Sequence, residues 1–406
     1  MFNGPQNRRR LALTIAAAQA LLGFADAPVL GAHGIVTTFA GASPAGFSGD
    51  GGPATDAQMN EPRMLTFDRT GNMYIADTFN HVIRRVDRNG IITTVAGKFT
   101  GFVPRSRATC SPRFAGDGRP ATQATLSCPH SVAISPAGEL FIADSANHVI
   151  RKVDAQGVIT TVAGQGGKPG FGGDNGPATG ARLKGPKGII FDPDGNLLIA
   201  DSGNNRVRRL DTGGRITTIA GTGETASAGD GGPAVDAGLK EPRTLALGPR
   251  GSLYIAEPEA HRVRRVDPQG TISTFAGTEK AGYSGDGGPA ERAQLNMPRG
   301  VGTDGAGKVY IADSLNQRIR VVDRSGTITS LAGRGTPCYY SARNPCGDGG
   351  PAQAAGFAVP RAIDVDGAGN LYIADTFNER IRKVDDVAAG KGAPPGPVPD
   401  DAPQPK

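Results

Sequence analysis

The sequence predicts an all-β chain: a six-bladed β-propeller of four-stranded blades, closed by an N-terminal strand that completes the last blade. Three observations predict it. The segment Tyr74-Ile75-Ala76-Asp77 recurs at residues 141–144, 198–201, 254–257, 310–313 and 372–375, in steps of 67, 57, 56, 56 and 62 residues. The segment Gly49-Asp50-Gly51-Gly52-Pro53-Ala54 recurs from Gly116, Gly173, Gly229, Gly285 and Gly347. A third, Ile91-Ile92-Thr93-Thr94-Val95-Ala96-Gly97, also has six copies, and the order of the three never changes. Four short strands in every fifty to sixty residues describe a propeller blade, whereas a β-helix repeats on a much shorter period.

The elements follow in chain order. Arg8, Arg9 and Arg10 precede a short apolar stretch over residues 11–25, which reads as a secretory signal peptide cleaved after Ala25. The stretch is shorter than the twenty or so apolar residues that span a bilayer, so it is not read as a membrane anchor. A lead-in over residues 26–34 ends at a spare copy of the third segment, Ile35-Val36-Thr37-Thr38-Phe39-Ala40. In the first full unit a strand follows a proline (Pro62 to Phe67), and the turn Asp68-Arg69-Thr70-Gly71-Asn72 leads to a second at 73–76. The third covers 81–86 and the fourth 91–96. The last unit lacks its fourth strand, so the spare N-terminal copy completes it and the propeller runs from 35 to 385. Residues 386–406 form a Pro- and Gly-rich tail read as disordered.

Composition agrees. The chain holds 61 Gly, 31 Pro and no Trp, with the glycines and prolines at fixed places in the repeat. The formal charge of +6 falls to about +3 without the three leader arginines, and no basic run is interleaved with aromatics, so nucleic acid is not an expected partner.

Within the repeat, Pro186 to Ile189, Gly195 to Asp201 and Asn204 to Val207 resemble NHL repeats. The longer form with Gly-Asp-Gly-Gly-Pro-Ala is similar to bacterial secreted NHL proteins and the NHL-like propeller of teneurins. The resemblance implies six blades and a role as an interaction platform. It also admits a metal enzyme, as in the amidating lyase with a similar propeller.

Polar residues present in every blade are expected to serve the blade. Asp50 and its equivalents should cap their own turn rather than hold calcium, since each loop brings one carboxylate. The Asp-x-x-Asn turns beginning at Asp77, Asp144, Asp201, Asp313 and Asp375 should bond turn backbone, and Asp192-Pro193-Asp194-Gly195-Asn196 is a hairpin turn. The paired basic residues of the third strands (Arg84-Arg85, Arg151-Lys152, Arg208-Arg209, Arg264-Arg265, Arg382-Lys383) should lay their stems between diverging blades with their heads in water. Glu257, Glu259 and His261 depart from the common turn, an asymmetry read as drift.

Two features point to binding. Arg63, His130, Lys187, Arg243, Arg299 and Arg361 open the innermost strands. The first expectation is that each pairs with a loop Asp; the second is a positive ring at one channel mouth that favours an anionic ligand. The two long steps carry the cysteines, and locality favours Cys110–Cys128 and Cys338–Cys346 disulfides, each worth roughly 2–3 kcal/mol in the chain-entropy model. Both stapled loops should rise from one face and wall a groove above the first blade, with Phe99, Phe102, Arg105, Arg107, Tyr339, Tyr340 and Arg343 exposed nearby.

The functional expectation is a monomeric, non-catalytic scaffold, secreted, periplasmic or at the cell surface, that binds a protein, peptide or glycan through that face. No cofactor, catalytic residue or metal ligand is assigned, and the mature chain has no transmembrane segment. The alternative is a hydrolase or lyase with a metal ion in the central channel. The five histidines have no paired zinc spacing, and no Gly-x-Ser-x-Gly is present.

Overall fold

A computed structural model describes residues 34–101, 110–341, 345–385 and 387. The proposed leader, the tail from 388 onward, and Phe102, Arg105, Arg107 and Arg343 lie outside the described residues.

Alternating strand-and-turn punctuation folds locally into antiparallel sheets. Six sheets form the blades of a propeller, and their innermost strands together line a central cavity. In the first blade the strands are Pro62–Phe67, Met73–Asp77, Val82–Val86 and Ile92–Ala96, within a residue or so of the sequence expectation. The second strands are buried on both faces, as in Leu371–Asp375, because each lies between two neighbouring blades. In the sixth blade the outer strand is Val36–Ala40, which pairs with Arg380–Val384 and joins the two chain ends.

The Gly-Asp-Gly-Gly-Pro-Ala segments have a role the sequence did not disclose. Each lies along the outer edge of its blade: Gly51 N–H donates to Ile92 O at 2.8 Å, and Ile92 N–H donates to Gly52 O at 3.0 Å. The exposed edge strand is thereby covered. Val36 is held in the same way, between Val384 on one side and Gly349 and Gly350 on the other.

The third-strand arginines require a correction. The second member of each pair does reach solvent, but Arg84, Arg151, Arg208, Arg264, Arg320 and Arg382 are fully buried. Each lies between two carboxylates. Arg208 stands 2.5 Å from Asp174 and 3.4 Å from Asp201, and Arg320 stands 2.6 Å from Asp286 and 3.4 Å from Asp313. An aromatic ring lies against the guanidinium in several blades, as with Phe47 at 4.9 Å from Arg84 and Tyr283 at 5.0 Å from Arg320. The loop Asp therefore does not simply cap its own turn. Asp50, Asp117, Asp174, Asp230, Asp286 and Asp348 clamp the edge segment onto the arginine. Asp174, Asp230 and Asp348 also accept from outer-strand threonines. The glycines of this loop take positive φ as expected, with Gly49 at 86° and Gly51 at 83°.

The Asp-x-x-Asn turns bond as expected. Asp77 accepts Asn60 N–H at 2.7 Å, and Asn80 Nδ2 donates to Asp77 at 2.8 Å and to Gly46 O at 2.7 Å. Burial raises these carboxyls, Asp77 and Asp201 to about 6, while the buried arginine and the turn hydrogen bonds oppose the rise. Asp192 accepts from Asn196 N–H and Nδ2, both at 2.8 Å, which is the hairpin role.

One turn position links each blade to the next. The residue closing the turn after the second strand is left-handed in all six blades. Its side chain accepts the N–H of the residue before the next innermost proline. His81 Nδ1 takes Cys128 N–H at 2.9 Å, His148 takes Gly185 at 3.0 Å and His261 takes Met297 at 3.1 Å. Asn205, Gln317 and Glu379 accept from Glu241, Val359 and Glu61 in the same way.

An acceptor Nδ1 requires a neutral imidazole. Burial, with Arg113 nearby, pushes His81 down from 6.5 to about 4. The unfolded chain then takes up this proton first, so the histidine's contribution to stability is complete above pH 6.5 and is lost as pH falls toward 4. Asn occupies this position in the third blade without titrating. His81→Asn is therefore expected to gain on the wild type by about 2–3 kcal/mol between pH 7 and pH 4 in urea melts. Parallel pH profiles for the two proteins would refute the assignment.

Candidate functional site: the cation-lined channel mouth

The site arises from one position in the repeat, the residue after the proline that opens each innermost strand. Antiparallel order places the start of that strand, the turn after the second strand and the connection entering each blade at one end of the blade. The six basic residues therefore converge at one mouth of the channel, on the face that also carries the stapled connections.

The pairing expected first is only partly present, and the partners are glutamates rather than loop aspartates. Glu61 lies 3.0 Å from Arg63 and 3.2 Å from Arg361, and Glu241 lies 3.3 Å from Lys187. Arg243 Nη2 reaches across two blades to His130 Nε2 at 3.0 Å. Among the described residues, Arg299 Nε and Nη1 and His130 Nδ1 are buried without a hydrogen-bond partner. Arg63 and Arg361 also lie over Phe79 and Phe377, at 5.1 and 5.2 Å.

These groups feel one another. Burial lowers His130 well below 6.5, and Arg243, Arg63, Lys187 and Arg361 push it further. Burial and repulsion from Arg63 and Arg299 bring Arg243 down to about 9. Lys187 is lowered to about 8, by burial first and then by Arg243, with Glu241 opposing. Arg361 is lowered by burial, Arg63 and Arg243. The mouth is a place where cations are held closer than their counter-charges neutralise.

Below the mouth lies a cavity of about 280 Å³ walled by all six innermost strands, with Met64, Val132, Ile189, Leu245, Val301 and Ile363 among its lining. Asp364 is the one carboxylate in that lining. Burial raises it to about 7, with Asp366 adding and the Val365 and Phe67 backbone N–H groups opposing. The opposite end opens to about 590 Å³ lined by Phe67, Ile134, Phe191 and Leu247 with three prolines. The channel is cationic at one end, and at the other apolar side chains are joined by Arg69, Asp192 and Asp304.

The stapled loops keep their expected disulfides, Cys110–Cys128 and Cys338–Cys346. Tyr339 is exposed, at 64%. Phe99 and Tyr340 are half-buried instead: Phe99 stacks on Phe47 at 4.1 Å, and Tyr340 lies 3.5 Å from the Arg380 guanidinium. Stacking on a neighbouring ring or guanidinium satisfies their faces, so they support the loops rather than stand free.

The fourth blade's departure has a structural reason. Glu257 takes the usual Asp role, accepting Lys240 N–H and lying 3.5 Å from Arg264. Its extra methylene meets Ser227, which donates at 2.9 Å and stands where Phe47 stands in the first blade. Ala260 replaces the turn asparagine. These are compensating changes around one buried arginine. Among the described residues, no three His, Cys, Asp or Glu side chains are grouped to hold a metal ion.

Sequence reading missed Glu61 and Glu241, although Glu-Pro-Arg at 61–63 and again at 241–243 marked both. It also missed the edge-covering role of the Gly-Asp-Gly-Gly-Pro-Ala segments, which needs the sheet pairing to appear.

Residues 42–113, 103–171, 279–334 and 330–389 match the teneurin NHL domain, and residues 183–210 match the NHL repeat. The chain belongs to the teneurin NHL domain family. This NHL domain is 31% identical to mouse (Mus musculus) Teneurin-1 over 239 residues, which is 54% of the chain and 8% of that protein. It is 30% identical to NHL repeat-containing protein 2 of Gallus gallus over 360 residues, 80% of the chain and 46% of the relative. The chain thus spans less than half of either relative. Among solved structures, an auxiliary nutrient binding protein from Bacteroides thetaiotaomicron superposes with a TM-score of 0.60 at 20% identity, covering 86% of this chain and 76% of that one. That likeness is one of fold.

Proposed function

We propose that this NHL domain is an extracytoplasmic binding scaffold that takes a protein, peptide or glycan on the face carrying the two stapled connections. The observation that carries the reading is their placement: the only connections lengthened beyond the common repeat are also the two closed by disulfides, and both enter on the cationic face. A blade needs neither insertion, so the added chain and its cross-links serve the surface. Disulfides accord with an oxidising compartment. Tyr339 is a large exposed amphipathic side chain of the kind that anchors interfaces.

Glycan and peptide arrays probed with the purified domain test the proposal. Tyr339→Ser and the Cys338→Ser/Cys346→Ser pair should each lower the strongest signal by about tenfold or more, the size expected when an interface anchor is lost. Undiminished binding by both variants would place the partner elsewhere.

A further inference from the structure

We propose that the cation-lined mouth is a binding site for a compact group presenting two or more anionic oxygens, a polycarboxylate or a phosphate, seated between Arg299, Arg243 and His130. The site is separate from the exposed loop surface and does not depend on Tyr339.

Arg63, Lys187, Arg243, Arg299 and Arg361 come from five blades, against Glu61, Glu241 and the nearby Glu259. With Glu379, which accepts the Glu61 N–H, the carboxylates number four, and five cations still leave a surplus of positive charge in a partly enclosed place. Such a concentration is costly to fold unless something compensates it, and field lines focused by the low-dielectric walls draw in anions.

Hydrogen-bond chemistry narrows the ligand. Arg243 donates to His130 Nε2, so the His130 proton sits on Nδ1. That Nδ1–H is buried without a partner among the described residues, in a residue only 3% exposed. Arg299 adds two more buried N–H donors, Nε and Nη1. Every unmet group here is a donor, so the complement is a group that only accepts, which describes a carboxylate or phosphate and excludes a cation or an amine. Unpartnered Nε atoms also occur on the buried third-strand arginines and on Arg63 and Arg361, where carboxylates and, in several cases, an aromatic ring already stand against the guanidinium. Among the described residues Arg299 has no ring against it and no ion pair within 4.0 Å, with Glu259 nearby as its carboxylate, which sets it apart.

The position also fits. The six donors belong to equivalent points on six blades, so the backbone fixes their spacing. The 2→3 turns flanking the mouth carry Ala146 and Gly203 on the second and third blades, but Phe79 and Phe377 on the first and sixth. Ala146 and Gly203 therefore put no ring over His130 or Lys187, whereas Phe79 and Phe377 lie over Arg63 and Arg361.

Isothermal titration at constant ionic strength, with citrate and separately with inorganic phosphate, tests the proposal. The wild type is expected to show saturable one-site binding of at least one of the two. Arg299→Gln should weaken it by about tenfold, the size of a lost charge-assisted hydrogen bond. Glu241→Gln frees Lys187 and should tighten it. A folding defect cannot produce both directions, and Tyr339→Ser should leave the titration unchanged whatever becomes of the partner. Citrate alone binding identifies the polycarboxylate source, and phosphate alone the phosphate source. No saturable heat with either anion, or unaltered binding by Arg299→Gln, would overturn the proposal.

Discussion

Arg208→Met is expected to destabilise the propeller by about 3–5 kcal/mol, the cost of leaving a buried charge without its partner. Arg208 is fully buried between Asp174 and Asp201, and Asp201 is itself inaccessible. Methionine replaces much of the lost volume, so the deficit reports charge rather than a cavity. Asp201 already sits at about 6 because burial outweighs the arginine and the hydrogen bonds that lower it. Without the arginine it rises further. A folded-state value above the unfolded one gives stability that is complete at low pH and lost as pH rises through the folded value. The penalty for Arg208→Met should therefore be greatest near pH 8 and shrink toward pH 5. Adding Asp201→Asn should recover about 1–3 kcal/mol, since the two positions share one network. Urea midpoints at the two pH values measure both effects, and a deficit below about 1 kcal/mol would mean the pair behaves like a surface bridge.

Val36→Asp is expected to cost a similar amount, about 3–5 kcal/mol, and to open the ring at one place. Val36 is fully buried in the sixth blade, in the cluster with Leu331, Phe357, Leu371 and Val384. Its strand is the only part of that sheet contributed by the other end of the chain. Every other blade gains its four strands from continuous chain, so a weakened fourth strand there still has a short tether. Here the strand returns only by closing the whole ring. Thr37→Asp, on the opposite face and half-buried, should cost under about 1 kcal/mol. Limited proteolysis of Val36→Asp should cut first within the sixth blade. Cleavage spread evenly over the six blades would argue against local opening.

Much of the architecture was legible because it is periodic. The Tyr-Ile-Ala-Asp segments announce a strand apolar on both faces, and Ile35 to Ala40 announces a strand in need of a sheet. The Asp-x-x-Asn turn was readable for the same reason: its hydrogen bonds are local, within the reach of a short side chain. So were the two disulfides, whose partners are 18 and 8 residues apart.

The sequence by itself determined the blade count, the strand order, the way the ring closes and which six positions carry basic side chains. The tertiary structure alone decided what those side chains do. Arg84 and Arg85 are adjacent letters of the same chemistry, yet one is fully buried and the other reaches solvent, because neighbours in a strand point to opposite faces and only one face meets Asp50 and Asp77. His81 and Asn205 do one task because geometry asks for an acceptor at that point, not for a residue type. Arg243 meets His130 and Lys187 meets Glu241 across gaps of 113 and 54 residues, and closing the propeller is what brings them together. Charge that is spread evenly along the chain becomes a concentrated ring only when six equivalent strand ends converge on one axis.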